Sequence, residues 1–454
     1  MSEASWNAMP RPAAPLPPMA GTIGDPISIA LLTVATLLCC LPYLVLGPLA
    51  APSQVQPWAA LFCWLYLVQR LLTRDLRITN LHIMLAAFAL WFMVYVYRPD
   101  QVSLDYYFRR SASFLLSWGI ILAMQYLSPG LLWRMLKLTL PLWTAFGLLG
   151  YASNALYFRI TAPLVPTIVG VAGGRGSTSL APEATDFGFT MAFMLLICMV
   201  TRRALANRSE DAERWPVWLA VFNIALSQSG SGFFAAVAIA FLYNLTKRTG
   251  TGPAPVMRYL IFGAIAVLML AALSTLPETG VRGIDLMVST LQSPLSLVNT
   301  TFSYRIVHNY VGILGMIDSG FTGFGAGAFI SEGPRLYTEY ALGRLFGLTG
   351  WYATNVPVTL GVSPTAFFPV ILLEYGLVGL VYILVLFRGV GLSRIPYKPI
   401  CLVMMFMTWA QSFPAAYPPF WLIVGLAMNP AFRDARKAAD TRSIPSPQYR
   451  RPAA

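Results

Sequence analysis

Between Phe302 and Ile317 the apolar residues recur at helical spacing, and the polar ones fall between them. On such a helix Arg305, His308, Asn309 and Gly312 stand at i, i+3, i+4 and i+7, which is one face. A cation, an imidazole and an amide in line beside a membrane surface suit a phosphate-bearing lipid. The plainer account is the solvated face of an interfacial helix. A second polar stretch runs from Gly173 to Asp186, with Arg175 in a glycine- and serine-rich loop and Glu183 and Asp186 just before and within an apolar run. Arg175 could grip a phosphate, and Glu183 or Asp186 could handle a proton. Carboxylates at a membrane boundary are costly, although the positive end of a helix also favours them.

Other charges are weaker candidates. Arg109 and Arg110, with Arg98 nearby, open an apolar run. Snorkelling to headgroups explains them, with diphosphate contact as the alternative. Glu374 lies inside an apolar run roughly two turns from its start, as a structural ion pair with an outer-loop arginine or as part of a site. His82, at the start of another run, reads as structural.

The elements that must position these groups are set by composition. The chain has 454 residues, 57% hydrophobic and 11% charged, with mean hydropathy +0.64. Soluble domains carry about 25% charged residues, so so much apolar surface implies an all-α, polytopic integral membrane protein. A nucleic-acid binder is excluded despite a net charge of +13, and the five cysteines, all inside apolar segments, exclude a disulfide scaffold. Residues 1–26 read as a disordered cytoplasmic tail rather than a signal peptide. Residues 27–276 form a membrane domain of nine spans: Ile27–Leu46, Trp58–Leu72, Leu81–Tyr97, Tyr106–Leu127, Leu138–Tyr157, Ala184–Val200, Trp215–Leu226, Gly232–Leu245 and Tyr259–Leu276. A large periplasmic loop follows over 277–366. Three spans, Phe367–Phe387, Cys401–Ser412 and Pro418–Met428, lie within 367–430, and 431–454 is a basic cytoplasmic tail. That makes about twelve spans.

Two breaks interrupt apolar stretches, Ser227-Gln228-Ser229-Gly230-Ser231-Gly232 and Gln411-Ser412-Phe413-Pro414. Short, broken helices are tolerated where they line a polar cavity, so a water-accessible pocket near the outer leaflet is expected. With both termini inside, 22 of the 31 cations, including every lysine, fall on the cytoplasmic side and nine outside. In the large loop, Gly320 to Phe329 reads as a tight turn at the membrane surface. Gly333–Leu348 reads as an amphipathic helix lying on the bilayer or capping the cavity. There is no D-x-D cluster, P-loop, H-E-x-x-H or G-x-S-x-G. The chemistry expected is therefore free of metal and cofactor, on an activated lipid-linked donor.

The layout and four segments resemble the O-antigen polymerase and O-antigen ligase superfamily. Those segments are Arg175 to Glu183, Leu226 to Phe233, Arg305 followed by Gly320 to Gly327, and Leu372-Leu373-Glu374-Tyr375-Gly376-Leu377-Val378-Gly379. The resemblance implies metal-independent glycosyl transfer between glycans on undecaprenyl diphosphate at the periplasmic face of a bacterial inner membrane. It also implies that Arg175 and Arg305 engage the diphosphate. The ligases' histidine before the span after the large loop is absent, that place reading Gly361-Val362-Ser363-Pro364-Thr365, and the serine break lacks their arginine. The resemblance thus leans to a polysaccharide polymerase, with His308 as a candidate base. Partners implied are undecaprenyl-diphosphate-linked oligosaccharide, membrane lipid and a chain-length regulator. Transfer to another acceptor, or a lipid-linked glycan flippase, are the alternatives. Alkaline phosphatase fused within 208–214 or after Lys398 should be inactive, and fused after Glu339 active; the reverse pattern would invert the orientation.

Overall fold

The computed structural model describes residues 25–47, 53–95, 104–165, 176–208, 212–246, 302–362, 366–410 and 416–433, with 210, 285, 288, 292 and 299 singly. Its regular elements are helices, named here in chain order. The first nine are α1 Pro26–Cys40, α2 Trp58–Leu72, α3 Asn80–Val94, α4 Leu104–Met124, α5 Pro129–Ala152, α6 Asn154–Thr161, α7 Ala184–Ala206, α8 Trp215–Ser227 and α9 Gly230–Thr246. Seven more follow: α10 Phe302–Asp318, α11 Phe329–Glu339, α12 Leu342–Leu345, α13 Gly350–Val362, α14 Phe367–Leu392, α15 Lys398–Ala410 and α16 Pro418–Met428. The expected span Tyr259–Leu276 and both tails lie outside the described residues.

The starts of these helices are written locally. Asp25 and Ser128 accept from Ile27 and Leu131 N–H, each ahead of a proline in the first turn. At α3 the Thr79 hydroxyl and His82 side chain cap reciprocally, with His82 Nδ1 accepting the Thr79 N–H at 3.2 Å. That gives His82 the structural role expected of it.

Helices α7 and α14 are long and apolar enough to cross a membrane. Residues Ser111–Met124 and Pro129–Ala152, bent by 118°, would make a third crossing if they act as one span. The remaining apolar helices are shorter, α8 having 13 residues and α9 17, so at 1.5 Å per residue each falls short of a hydrocarbon core of about 30 Å. The result is an all-helical apolar bundle, consistent with a membrane protein. Its axis is α7, buried on every side from Phe187 to Ile197 and packed against α5, α8 and α9. The five cysteines are free and buried.

One end of the bundle is tied by amides and cations. Asn429 Nδ2 donates to the Met124 and Leu127 carbonyls, both at 2.8 Å. Lys137 pairs with Glu213 at 3.2 Å, and Arg70 bonds to Asp75 between the Tyr66 and Tyr126 rings. Helix α8 starts at this end, and α9 returns to it with Tyr243 against Tyr397, so the two helices go out and back across the break at Gln228.

Helices α10–α13 build a second core from Val307, Val311, Phe329, Leu336, Leu342, Val356 and Leu360, which abuts Val370 and Leu373 of α14. The Gly333–Leu348 segment, expected as one amphipathic helix, is divided between α11 and α12 by the left-handed Ala341; Leu336, Leu342 and Leu348 join this core, while Leu345 stays exposed. Helix α14 is broken at Gly376, whose φ of 55° and ψ of −134° leave the helix. The Gly320–Gly327 turn closes that break: Phe324 and Gly325 N–H donate to the Leu373 and Glu374 carbonyls, and Leu377 N–H to the Phe321 carbonyl, at 2.8–2.9 Å. The tight turn expected here is thus bonded into the break of a helix.

A Cβ at 376 would run into the Phe321 carbonyl, and positive φ disfavours any side chain. Gly376→Ala should therefore cost about 2 kcal/mol or more in detergent unfolding. Gly391→Ala, a helical position with open space around it, should be neutral or mildly stabilising.

Candidate functional site

At the opposite end of the bundle the chain before α7 is held down rather than loose. Ser177 N–H donates to the Leu226 carbonyl at 3.2 Å, and the Tyr157 hydroxyl to the Ser179 carbonyl at 2.5 Å. Ser177, Thr178 and Ser179 are buried. A methyl on Gly176 would strike the Ser227 carbonyl, and one on Gly188 would lie 2.5 Å from the Ser227 hydroxyl. The small residues therefore let this strap and α7 seat directly on the α8–α9 break. The flexible polar loop expected here is, from Gly176 onward, a buried and hydrogen-bonded segment, because its serines find carbonyl partners in neighbouring helices. Arg175 lies outside the described residues, as does the break at 411–414.

The strap delivers two carboxylates. Glu183 holds the cap position of α7 yet makes no capping hydrogen bond, and Asp186 sits in the first helical turn. Both are half-buried. Arg305 comes to them from α10: burial lowers its hold on its proton, while the charges of Asp186 and Glu183 offset part of that loss. So Arg305 shares one end of the bundle, within electrostatic range, with Glu183 and Asp186, which lie at least 119 positions earlier in the chain.

The other face-mates of Arg305 diverge. Gly312 packs on Pro369 of α14, where a methyl would lie 2.6 Å from the carbonyl. Asn309 Nδ2 donates back to the Arg305 carbonyl at 2.7 Å. His308 is fully buried in the second core, its Nε2 3.3 Å from the Thr359 hydroxyl and its ring against Tyr304 and Phe329. Burial lowers its pKa to about 4, so it is neutral at ordinary pH. The single polar face drawn from the sequence thus splits between two packing partners, α14 and the α11–α13 group.

Glu374 is fully buried immediately before the α14 break. Arg335, in the segment expected as an outer loop and thus a candidate partner, is held instead by Asp318 at 2.5 Å, Glu332 at 2.6 Å and Glu339, with its guanidinium over Phe324. Arg109 and Arg110 lie in the first two turns of α4; their side chains are outside the described set.

Three hydroxyls that no sequence motif marks also meet near this end of the bundle. Thr190 is 3.3 Å from the Tyr43 hydroxyl and 2.6 Å from that of Tyr417, all of them buried. Thr190 lies one turn below Asp186, and the charge of Asp186 reaches both phenols. The i, i+4 pair on α7 was the available signal; the tyrosines, in distant segments, carried none. Among the described residues no three His, Cys, Asp or Glu side chains group to hold a metal ion.

A scan of protein-family models gives no match, and a search of curated proteins gives no relative.

The unfolded state binds the His308 proton from about pH 6.5 downward, the folded state only near pH 4. Stability should therefore fall as pH drops through that window, by about 3 kcal/mol in all. His308→Leu should flatten that slope in detergent unfolding at pH 4 to 7; an unchanged slope would place the titration elsewhere.

Proposed function

We propose that the chain is a metal-independent membrane glycosyltransferase that lengthens polysaccharide from repeats carried on undecaprenyl diphosphate, at the periplasmic face of a bacterial inner membrane. The layout read from the sequence, about twelve spans with both termini cytoplasmic and a large outer loop, belongs to this proposal. The observation that carries it is Arg305 beside Glu183 and Asp186 at the end of the bundle away from the tied amides. A cation can stabilise a departing diphosphate and a carboxylate can take a hydroxyl proton, so these groups suit displacement of a diphosphate by a hydroxyl.

The acceptor sugar's hydroxyl oxygen attacks the anomeric carbon of the donor. The bond from that carbon to the diphosphate oxygen breaks, and its electron pair leaves with the lipid diphosphate. Negative charge grows on the departing oxygen, and a guanidinium already fixed there lowers the barrier without reorganising. Arg305 supplies one such cation, and Arg175 a second by the resemblance of its segment. The hydroxyl proton passes to a carboxylate and then to water. A single displacement inverts the anomeric configuration. The three groups are half-buried, and the apolar bundle beside them lowers the local dielectric, which strengthens each charge's effect.

Purified protein given lipid-linked repeats and no second acceptor should lengthen them. Arg305→Ala and Arg175→Ala should each reduce lengthening by at least 100-fold at unchanged protein level, the scale of losing one preorganised electrostatic contact. Normal activity in either would remove that residue from the site. A wild-type protein that moves repeats across a vesicle without joining them would make the chain a flippase.

A further inference from the structure

Helices α2 and α3 are joined by residues 73–79, at the end of the bundle tied by amides and cations. Thr73 caps α2, and the chain then closes a Schellman turn. Arg74 N–H donates to the Leu71 carbonyl at 3.1 Å, and Asp75 N–H to the Arg70 carbonyl at 3.0 Å. The residue after the cap in such a turn takes left-handed backbone, and Arg74 has a φ of 55°. Glycine adopts that conformation freely, whereas a residue with a Cβ is strained in it. Local structure explains the turn but gives no reason for an arginine at its glycine position.

The turn is also pinned from outside. Arg70 bonds to Asp75 and donates to the Tyr66 hydroxyl at 2.9 Å. The Tyr126 hydroxyl accepts the Arg77 N–H at 2.5 Å and donates to the Asp75 carbonyl at 3.1 Å, and Gln125 Nε2 donates to the Arg77 carbonyl at 2.7 Å. Asp75, the acid of the turn, is thus engaged by Arg70. The side chains of Arg74 and Arg77 stay exposed, and among the described residues neither guanidinium has a hydrogen-bond or ion-pair partner.

Two apolar stripes run up to these cations. On α2, Leu61, Leu65, Val68 and Leu72 recur at i, i+4, i+7 and i+11, each 45% exposed or more. On α3, Ile83, Leu90 and Val94 stand at i, i+7 and i+11, each at least 58% exposed. Both helices are backed by α4: Trp118 lies against Trp64 of α2, ring centroids 5.3 Å apart, and donates to the His82 carbonyl of α3 at 2.9 Å. In a membrane protein such stripes are covered by acyl chains, and cations where the stripes end meet the headgroups.

We propose that Arg74 and Arg77 hold the phosphate of an anionic phospholipid whose acyl chains lie along the α2 and α3 stripes. Two guanidiniums on a pinned turn, with the local acid already engaged, favour a headgroup of net negative charge. A zwitterionic headgroup brings its own cation beside the phosphate, which these arginines repel. The strained backbone at Arg74 follows: the side chain is kept for the lipid where the turn alone would take glycine. In the orientation expected from the sequence this is the cytoplasmic leaflet, and the site does not depend on the transferase reading.

The test is native mass spectrometry of the full chain in detergent, with phosphatidylglycerol or phosphatidylcholine added at equal concentration. Phosphatidylglycerol should stay bound at collision energies that strip phosphatidylcholine. Arg74→Gly removes the guanidinium and suits the turn, so without lipid it should melt no lower than wild type. It should nevertheless weaken phosphatidylglycerol binding about fivefold, the scale of one cation near an anionic surface. Arg77→Gln should weaken it by a similar factor, and Arg74→Gly with Arg77→Gln roughly 25-fold. Arg134→Gln, which removes an exposed cation of α5, should leave binding within twofold. Glycerophosphoglycerol, the same headgroup without chains, should not displace the lipid. Equal retention of the two lipids by wild type, or full retention in Arg74→Gly with Arg77→Gln, overturns the proposal. So does an equal loss in Arg134→Gln, which would mean attraction to overall charge, or displacement by the chainless headgroup.

Discussion

In apolar surroundings every peptide N–H and C=O needs a partner, because leaving one bare costs several kcal/mol. A helix meets that demand by itself; a broken helix does not. This chain breaks α14 at Gly376 and turns sharply between α8 and α9 at Gln228, and in both places another segment supplies hydrogen bonds. The Gly320–Gly327 turn closes the first break, and the strap at Ser177 bonds to Leu226 beside the second. The strap is also what carries Glu183 and Asp186 to the bundle's end, and the turn follows directly on the helix bearing Arg305. Satisfying the backbone and assembling the charged site are therefore one structural act.

The charged site has its own constraint. A half-buried guanidinium is costly, and the two carboxylates beside it lower that cost without filling the space around it. A diphosphate arriving there would meet a cation already desolvated on one side. The carboxylates stay close enough to repel it unless one of them becomes protonated during the reaction. On the proposed transferase reading, charge balance would tie diphosphate binding to proton uptake at this site.

Much of this was legible in the chain. The apolar runs at 184–200 and 367–387 become the two long helices, and the serine break becomes a turn, because hydropathy over that length and small residues in that density leave few other outcomes. Arg305 was legible as the cation on the polar face that it shares with His308 and Asn309 in the sequence. The orientation of His308 was not: it lies 60° around the helix from Arg305 on a ~100° per residue wheel, and such a step carries it from one packing partner to another. The hydroxyls of Tyr43 and Tyr417 were illegible for a different reason. They sit 147 and 227 positions from Thr190, and no local spacing reports a contact between distant segments.

The clasp between the glycine turn and α14 also bears on how such a chain can change over generations. Helices α10–α13 look like an add-on, with their own small core, yet three backbone groups of the Gly320–Gly327 turn region complete the bonding of a helix in the bundle. Swapping that region for one from another protein would strip the bundle of those bonds, unless the donor carried a turn of the same shape. An exchange of that region would therefore have to carry the glycine turn and the kinked helix across together.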